Sequence, residues 1–308
     1  MGRKRNNKPS SLAHQLRSSV NNNFEPGKSK RAAKLSDDGF GAKVYGYSSR
    51  DRLLDVGTQF ANYCRDNFSV KFAKDIEPRH VQAFLKSKAD AGVQDSTLKS
   101  YYQSIKKLNL TANATFCSSK GDWTKGVSIP CGRSSSTLRS VKMSREGMDK
   151  VLDKLDMRHA SHRAIACAEA LGLRASEAVR IQGRHIDLNR GVVGVVGKGG
   201  RYREIPIRED RRELLTSLKE QYSDCRIANV KADSVNATLK RICQREDISD
   251  LDGSKSGIHA VRKLYATEQF EDKLESGMDE RQAWGDVSEA LGHGRDRTDL
   301  YKVYIVRD

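Results

Sequence analysis

The chain has 308 residues and a formal net charge of +16, with 37% hydrophobic and only 6% aromatic residues. That length suits one large or two medium domains, and the basic excess points to a polyanionic partner, nucleic acid first and an anionic membrane surface second. No apolar run approaches the roughly 20 residues that cross a bilayer, and the basic start Met1–Lys8 has no apolar stretch behind it to make a secretory signal.

Cys64, Cys117, Cys131, Cys167, Cys225 and Cys243 are scattered, with no Cys-x-x-Cys pair. This pattern argues for separate reduced thiols in a cytoplasmic protein over a zinc site or a disulfide framework. Residues 1–43 carry Arg3, Lys4, Arg5, Lys8, Arg17, Lys28, Lys30, Arg31, Lys34 and Lys43 against Glu25, Asp37 and Asp38. With abundant Gly, Asn and Ser, they read as a basic, flexible arm, either contacting DNA or simply solvated.

Helical patterning begins after Tyr47. Ser48 through Asp51 resembles a capping box, and Leu53, Val56, Phe60 and Tyr63 follow at helical spacing. Pro78 suits a helix start ahead of Val81, Phe84 and Leu85. Asp95 or Ser96 can cap a third helix bearing Leu98, Tyr101, Tyr102, Ile105 and Leu108, with Lys99, Lys106 and Lys107 on it. Residues 44–113 therefore read as a small helical domain. Residues 114–142, rich in Ser, Gly and Lys, read as a linker.

A second domain, 143–308, opens on the helical stripe Met148, Val151, Leu152 and Leu155. A second stripe runs through Ile165, Ala168 and Leu171–Leu173. Val192, Val193, Val195 and Val196, then Gly197-Lys-Gly-Gly200, then Arg203-Glu-Ile-Pro-Ile207 read as strand, turn, strand. Helices are expected again near 209–222, 233–245, 257–274 and 279–291. The fold class is mainly α with a small β-sheet.

Four segments of this domain carry chemistry as a set: Ala170-Leu-Gly-Leu-Arg-Ala-Ser-Glu177; Gly197-Lys-Gly-Gly-Arg-Tyr-Arg-Glu-Ile-Pro206; His259-Ala-Val-Arg-Lys-Leu-Tyr-Ala-Thr267; and Leu291-Gly-His-Gly294 with Tyr301 and Tyr304 behind it. In that order they resemble the tyrosine recombinase (phage integrase) family: its Gly-Leu-Arg-x-Ser-Glu box, its β-hairpin lysine, its His-x-x-Arg box and its Leu-Gly-His box. The motifs cover roughly residues 144–308. The resemblance implies a helical core-binding domain at 44–113, by position and texture, followed by an α/β-containing catalytic domain.

The residue types make chemical sense without it. A phosphodiester under attack gathers negative charge on its nonbridging oxygens, which two guanidiniums, Arg174 and Arg262, can clamp while staying charged at any working pH. Lys198, in a glycine-flanked turn, can reach the leaving 5′ oxygen as general acid. His259 lies three positions before Arg262, so both can share a helix face. It can accept the tyrosine proton or hold the phosphate, and His293 is placed to donate to the same phosphate. Lys263 stands where the family often has another His and adds charge without a clear role. No carboxylate or Cys accompanies either His at ligand spacing, so no metal is expected.

A phenol, with an ordinary pKa of about 10, needs a base or a cationic pocket to act as nucleophile. The family commonly places this tyrosine about nine residues after the box histidine. Tyr301 lies eight residues after His293 and Tyr304 eleven. Thr298-x-x-Tyr301 resembles one common lead-in, and Leu300-Tyr-Lys-Val-Tyr304-Ile resembles another. Tyr304 is the preferred nucleophile and Tyr301 the alternative, with only Ile305–Asp308 behind Tyr304 to dock in trans.

The resemblance implies cutting and rejoining of double-stranded DNA at specific attachment or crossover sites through a 3′-phosphotyrosyl link. That reaction needs neither ATP, cofactor nor metal. It further implies a homo-tetramer on two duplexes, a role in integrating or excising a mobile element or phage, and a cytoplasmic, nucleoid-associated location away from membranes. Two other readings stay open. One is an inactive DNA-binding accessory protein of the same descent. The other is a type IB topoisomerase-like enzyme.

Overall fold

In the computed structural model, the residues described are 11–28, 30–36, 41–116, 121–134, 141–197, 200–252, 254 and 256–305. Contacts divide the chain into two units, Met1–Ser136 and Thr137–Asp308.

The first unit is helical: α1 (Leu12–Asn22), α2 (Lys30–Ser36), α3 (Tyr47–Phe68), α4 (Pro78–Asp90) and α5 (Asp95–Phe116). The stretch that composition assigns to a flexible arm contains α1. The Ser11 hydroxyl caps it by accepting the His14 amide at 3.3 Å. Leu12, Leu16 and Val20, spaced four apart, form one buried stripe against α3 and α5. Polar ties add to this, the Asn23 amide donating to the Thr111 carbonyl at 3.3 Å. The reading of residues 11–28 as a flexible arm is thus corrected: three apolar side chains at helical spacing outweigh the polarity around them. Leu16→Ala should cost about 2–5 kcal/mol. Urea denaturation checks this, and no loss would mean that α1 is dispensable.

The expected Ser48–Asp51 capping box is also absent. α3 starts at Tyr47 behind Gly46, with no side-chain cap. Ser48 therefore falls inside the first turn, and Asp51 pairs with Arg50 instead. Pro78 does open α4, where its fixed φ suits the first helical position. Part of the expected linker belongs to this unit, because Trp123 is buried in its core.

The second unit begins with α6 (Arg145–Asp153), α7 (Ala160–Leu171) and α8 (Ala175–Ala178). A three-stranded antiparallel sheet follows, in the order β1 (Ile186–Asp187), β2 (Val192–Val196), β3 (Tyr202–Pro206). Next come α9 (Arg212–Gln221), α10 (Ala232–Arg245), α11 (Ile258–Glu275), α12 (Glu280–Ala290) and α13 (Tyr301–Tyr304). α7 packs against α10 and α11, α11 against α12 and α13, and α12 against β3. Val193 pairs with Ile205 and Val195 with Arg203, and all four side chains are buried. The period of two thus puts one arginine on the inner face of the sheet. No helix among the described residues is long and apolar enough to cross a membrane.

Candidate active site

The end of α7 sets the first wall. Gly172 takes a left-handed φ of +58°, and a Cβ there would stand 2.3 Å from the Tyr265 ring. Only glycine satisfies both demands. The chain then turns through buried Leu173 into Arg174, whose side chain keeps 28% of its surface. Glu177, three residues on and buried, accepts both the Arg174 amide at 3.0 Å and its Nη1 at 2.8 Å.

Arg262 comes from the first turns of α11 and has no exposed surface. Its Nη1 donates to the Gly172 carbonyl and its Nη2 to the Leu291 carbonyl. The same guanidinium lies 3.7 Å from Glu177. Nε is buried with no acceptor in hydrogen-bonding geometry among the described residues. The two-armed clamp expected of Arg262 is therefore engaged within the protein, leaving Nε as its unengaged nitrogen. Burial and the neighbouring Arg174 lower its pKa to about 10, so it remains a cation at neutral pH.

Three guanidiniums, of Arg174, Arg203 and Arg262, share the single carboxylate of Glu177. Burial pushes the Glu177 pKa up. The Arg203 hydrogen bond and charge, the Arg174 amide and the Arg262 charge together outweigh it and bring the group to about 2. The carboxylate is ionised, and the cluster keeps an excess of positive charge suited to an anion.

The turn after α12 brings in His293, and α13 brings in the tyrosines. Arg174 Nη2 lies 3.2 Å from His293 Nε2, and the Tyr304 hydroxyl lies 3.0 Å from the same nitrogen. A guanidinium can only donate, so Nε2 presents its lone pair, the ring proton sits on Nδ1, and the phenol donates to Nε2. Burial, then Arg262 and Arg174, lower the His293 pKa to about 4, which keeps the ring neutral. The sequence offers His259 for this contact. The His259 ring instead meets the Tyr304 ring edge-on at 5.4 Å. Burial and the charges of Lys263, Arg262 and Arg174 hold His259 well below the ordinary histidine range, although the residue as a whole keeps exposed surface.

The two tyrosines face different surroundings. Tyr304 is buried, with the Arg262 guanidinium 5.6 Å from its ring centre. Tyr301 packs edge-on against Phe270 at 5.5 Å and Trp284 at 5.6 Å. The structure thus brings together Arg174, His259, Arg262, His293 and Tyr304, and sets Tyr301 in an aromatic cluster. Lys198 lies outside the described residues. Lys263 is fully buried, and that burial lowers its pKa. No group of three or more metal-ligating side chains occurs among the described residues.

Glu177 and Arg203 carry no evident role in the sequence alone, although both stand inside the four motif segments. For Arg203 a signal existed: alternation along Tyr-Arg-Glu-Ile-Pro puts it on the same face as Ile205.

The model of the phage integrase family matches residues 142–305. A search of curated protein sequences finds no match. Among solved structures, the chain is similar to the XerH site-specific recombinase bound to a palindromic difH substrate in a post-cleavage complex. The TM-score is 0.66 at 17% identity, over 96% of this chain and 91% of that one. It is also similar to the Tn1549 transposon integrase in complex with circular intermediate DNA. There the TM-score is 0.59 at 14% identity, over 97% of this chain and 96% of that one. At such identities the structural likeness establishes a shared fold. The family match spans more than half of the residues, including all four boxes, and the chain belongs to the phage integrase family of tyrosine recombinases, which are DNA strand transferases.

Proposed function

We propose that the chain cuts and rejoins double-stranded DNA at specific sites by forming a 3′-phosphotyrosyl link at Tyr304. The observation that carries this reading is the phenol hydroxyl, 3.0 Å from the lone pair of a neutral histidine, beside a guanidinium 3.2 Å from that same nitrogen. The phenolic oxygen attacks the phosphorus, its proton passes to His293 Nε2, and the bond to the 5′ oxygen breaks. Arg174, together with the Arg262 cation, stabilises the charge that develops on the nonbridging oxygens. His259 borders the phenol as a further phosphate contact. Lys198 is assigned the proton for the leaving 5′ oxygen on the strength of the family resemblance. Rejoining reverses these steps: a 5′ hydroxyl attacks the phosphotyrosine, so the bond energy is conserved.

The DNA complexes of the XerH recombinase and of the Tn1549 integrase support duplex DNA as partner. Exchange between two duplexes breaks four strands, which suits a homo-tetramer with one tyrosine per strand. Integration or excision of a mobile element or phage, and association with the nucleoid, follow as the proposed setting. A duplex nicked near the crossover tests the reading, because loss of the short fragment traps the intermediate. A covalent adduct on a denaturing gel supports it. No adduct across duplexes that the protein binds specifically would favour a binding protein without strand-transfer activity.

The pKa of His293 adds a pH signature. With sub-saturating DNA the rate reports the free protein. A base that titrates near 4 stays neutral above that pH, so the adduct rate should not drop between pH 7 and pH 5. An inflection near the ordinary histidine value of about 6.5 would show that burial and the neighbouring arginines do not lower His293 in this way.

A further inference from the structure

We propose that Arg203 is a positioning residue for strand cleavage, acting through Glu177 on Arg174; the inference rests on the reading that Tyr304 attacks a DNA phosphate. Arg203 occupies an inward position of β3, opposite Val195 and two residues before buried Ile205. A guanidinium there must have its donors met, because burying them unpaired is costly. They are met by two partners. Nε donates to the Ala290 carbonyl at 2.7 Å, three residues before His293. Nη1 and Nη2 grip the two Glu177 oxygens at 3.2 and 2.8 Å.

The side chain also lies under the turn carrying His293. Gly292 has a φ of +79°, and a Cβ on it would stand 3.2 Å from Arg203 Cδ and Nη1. β3, α8 and the end of α12 are therefore held together by one side chain.

The functional consequence comes through the shared carboxylate. Glu177 Oε1 accepts from both Arg203 Nη1 and Arg174 Nη1. Held by Arg203 through both oxygens, Glu177 fixes where the Arg174 guanidinium can sit and leaves its Nη2 on the His293 side. Without that grip the carboxylate turns to Arg174 as its nearest cation. It then draws the guanidinium inward and neutralises charge that the phosphate needs. Lysine cannot substitute: a single ammonium lacks the planar fork that spans two carboxylate oxygens and a carbonyl.

A double-variant cycle in the full chain tests this. The probe is a nicked duplex carrying a site selected from random sequence by the unaltered protein. Arg203→Lys should slow adduct formation by about 10- to 100-fold, the scale of a misplacement near 1 Å, with DNA Kd within about threefold and a cooperative thermal transition. Arg203→Lys combined with Arg174→Lys should be no more than about threefold slower than Arg174→Lys alone, because the second substitution removes what the first positions. Multiplicative losses, or an Arg203→Lys rate equal to that of the unaltered protein, overturn the proposal. If Arg203→Lys does not fold, Arg203→Gln, which keeps donors to Glu177 without the charge, carries the same cycle. Absence of adduct from the unaltered protein instead defeats the reading of the site itself, and the proposal with it, before any variant is compared.

Discussion

Tyr304→Phe is expected to abolish the covalent DNA adduct, lowering its rate by at least about 10³-fold, while Tyr301→Phe forms it within about threefold of the unaltered rate. The contrast follows from surroundings and not from spacing. The Tyr304 hydroxyl meets a neutral imidazole at 3.0 Å, with guanidiniums of two arginines close by. The Tyr301 ring contributes edge-on contacts with Phe270 and Trp284, which phenylalanine preserves. Both variants should bind DNA as the unaltered protein does, because neither loses a cation. Denaturing gels on a nicked duplex, run in parallel, read the result. An adduct from Tyr304→Phe together with none from Tyr301→Phe would exchange the two assignments.

Glu177→Ala should strongly destabilise the second unit, at about 3–5 kcal/mol. The side chain is 3% exposed as a residue, yet it answers Arg203 at 2.8 Å and Arg174 at 2.8 Å and lies 3.7 Å from Arg262. Removing it leaves Arg262, which has no exposed surface, and Arg203 beside each other without a counter-charge. For a unit of this size the loss corresponds to a fall in Tm of roughly 6–20 °C. Calorimetry of the full chain checks it. Glu177→Gln keeps an oxygen for the arginines and should lose less. Equal melting of Glu177→Ala and the unaltered protein would show that the cluster contributes nothing to folding. The sign of the pH dependence follows from the same group. With its folded pKa brought down to about 2, Glu177 contributes stability that is present above its unfolded value near 4.3 and is lost as pH falls toward 2.

Much of the second unit was legible because phosphate chemistry restricts residue types. Arg174, Arg262 and the two histidines stand in boxes whose order carries the information, and the hairpin from β2 to β3 follows from Val-rich alternation around glycines. What pairs with what was not legible. The partner of the Tyr304 hydroxyl depends on how α13 lies over α11, and no spacing encodes that. The Ser48–Asp51 pattern misleads because the helix terminus is supplied by Gly46. α1 is hidden in the sequence because net polarity masks the four-residue spacing of Leu12, Leu16 and Val20. Glu177 and Arg203 are inconspicuous in the sequence for a different reason. Each is a charged residue whose weight comes from being enclosed, and enclosure is a property of the assembled fold.

Arg262 has a practical consequence for anyone wishing to trap a DNA complex. Its guanidinium joins the carbonyl of Gly172 to that of Leu291, so it is an internal strut as well as a proposed phosphate contact. A substitution there would silence the protein and loosen it together, and a loss of activity would say little about chemistry. The dead-but-intact form is better sought at the terminal phenol, where deleting one oxygen leaves the ring to fill its place against the His259 and His293 rings.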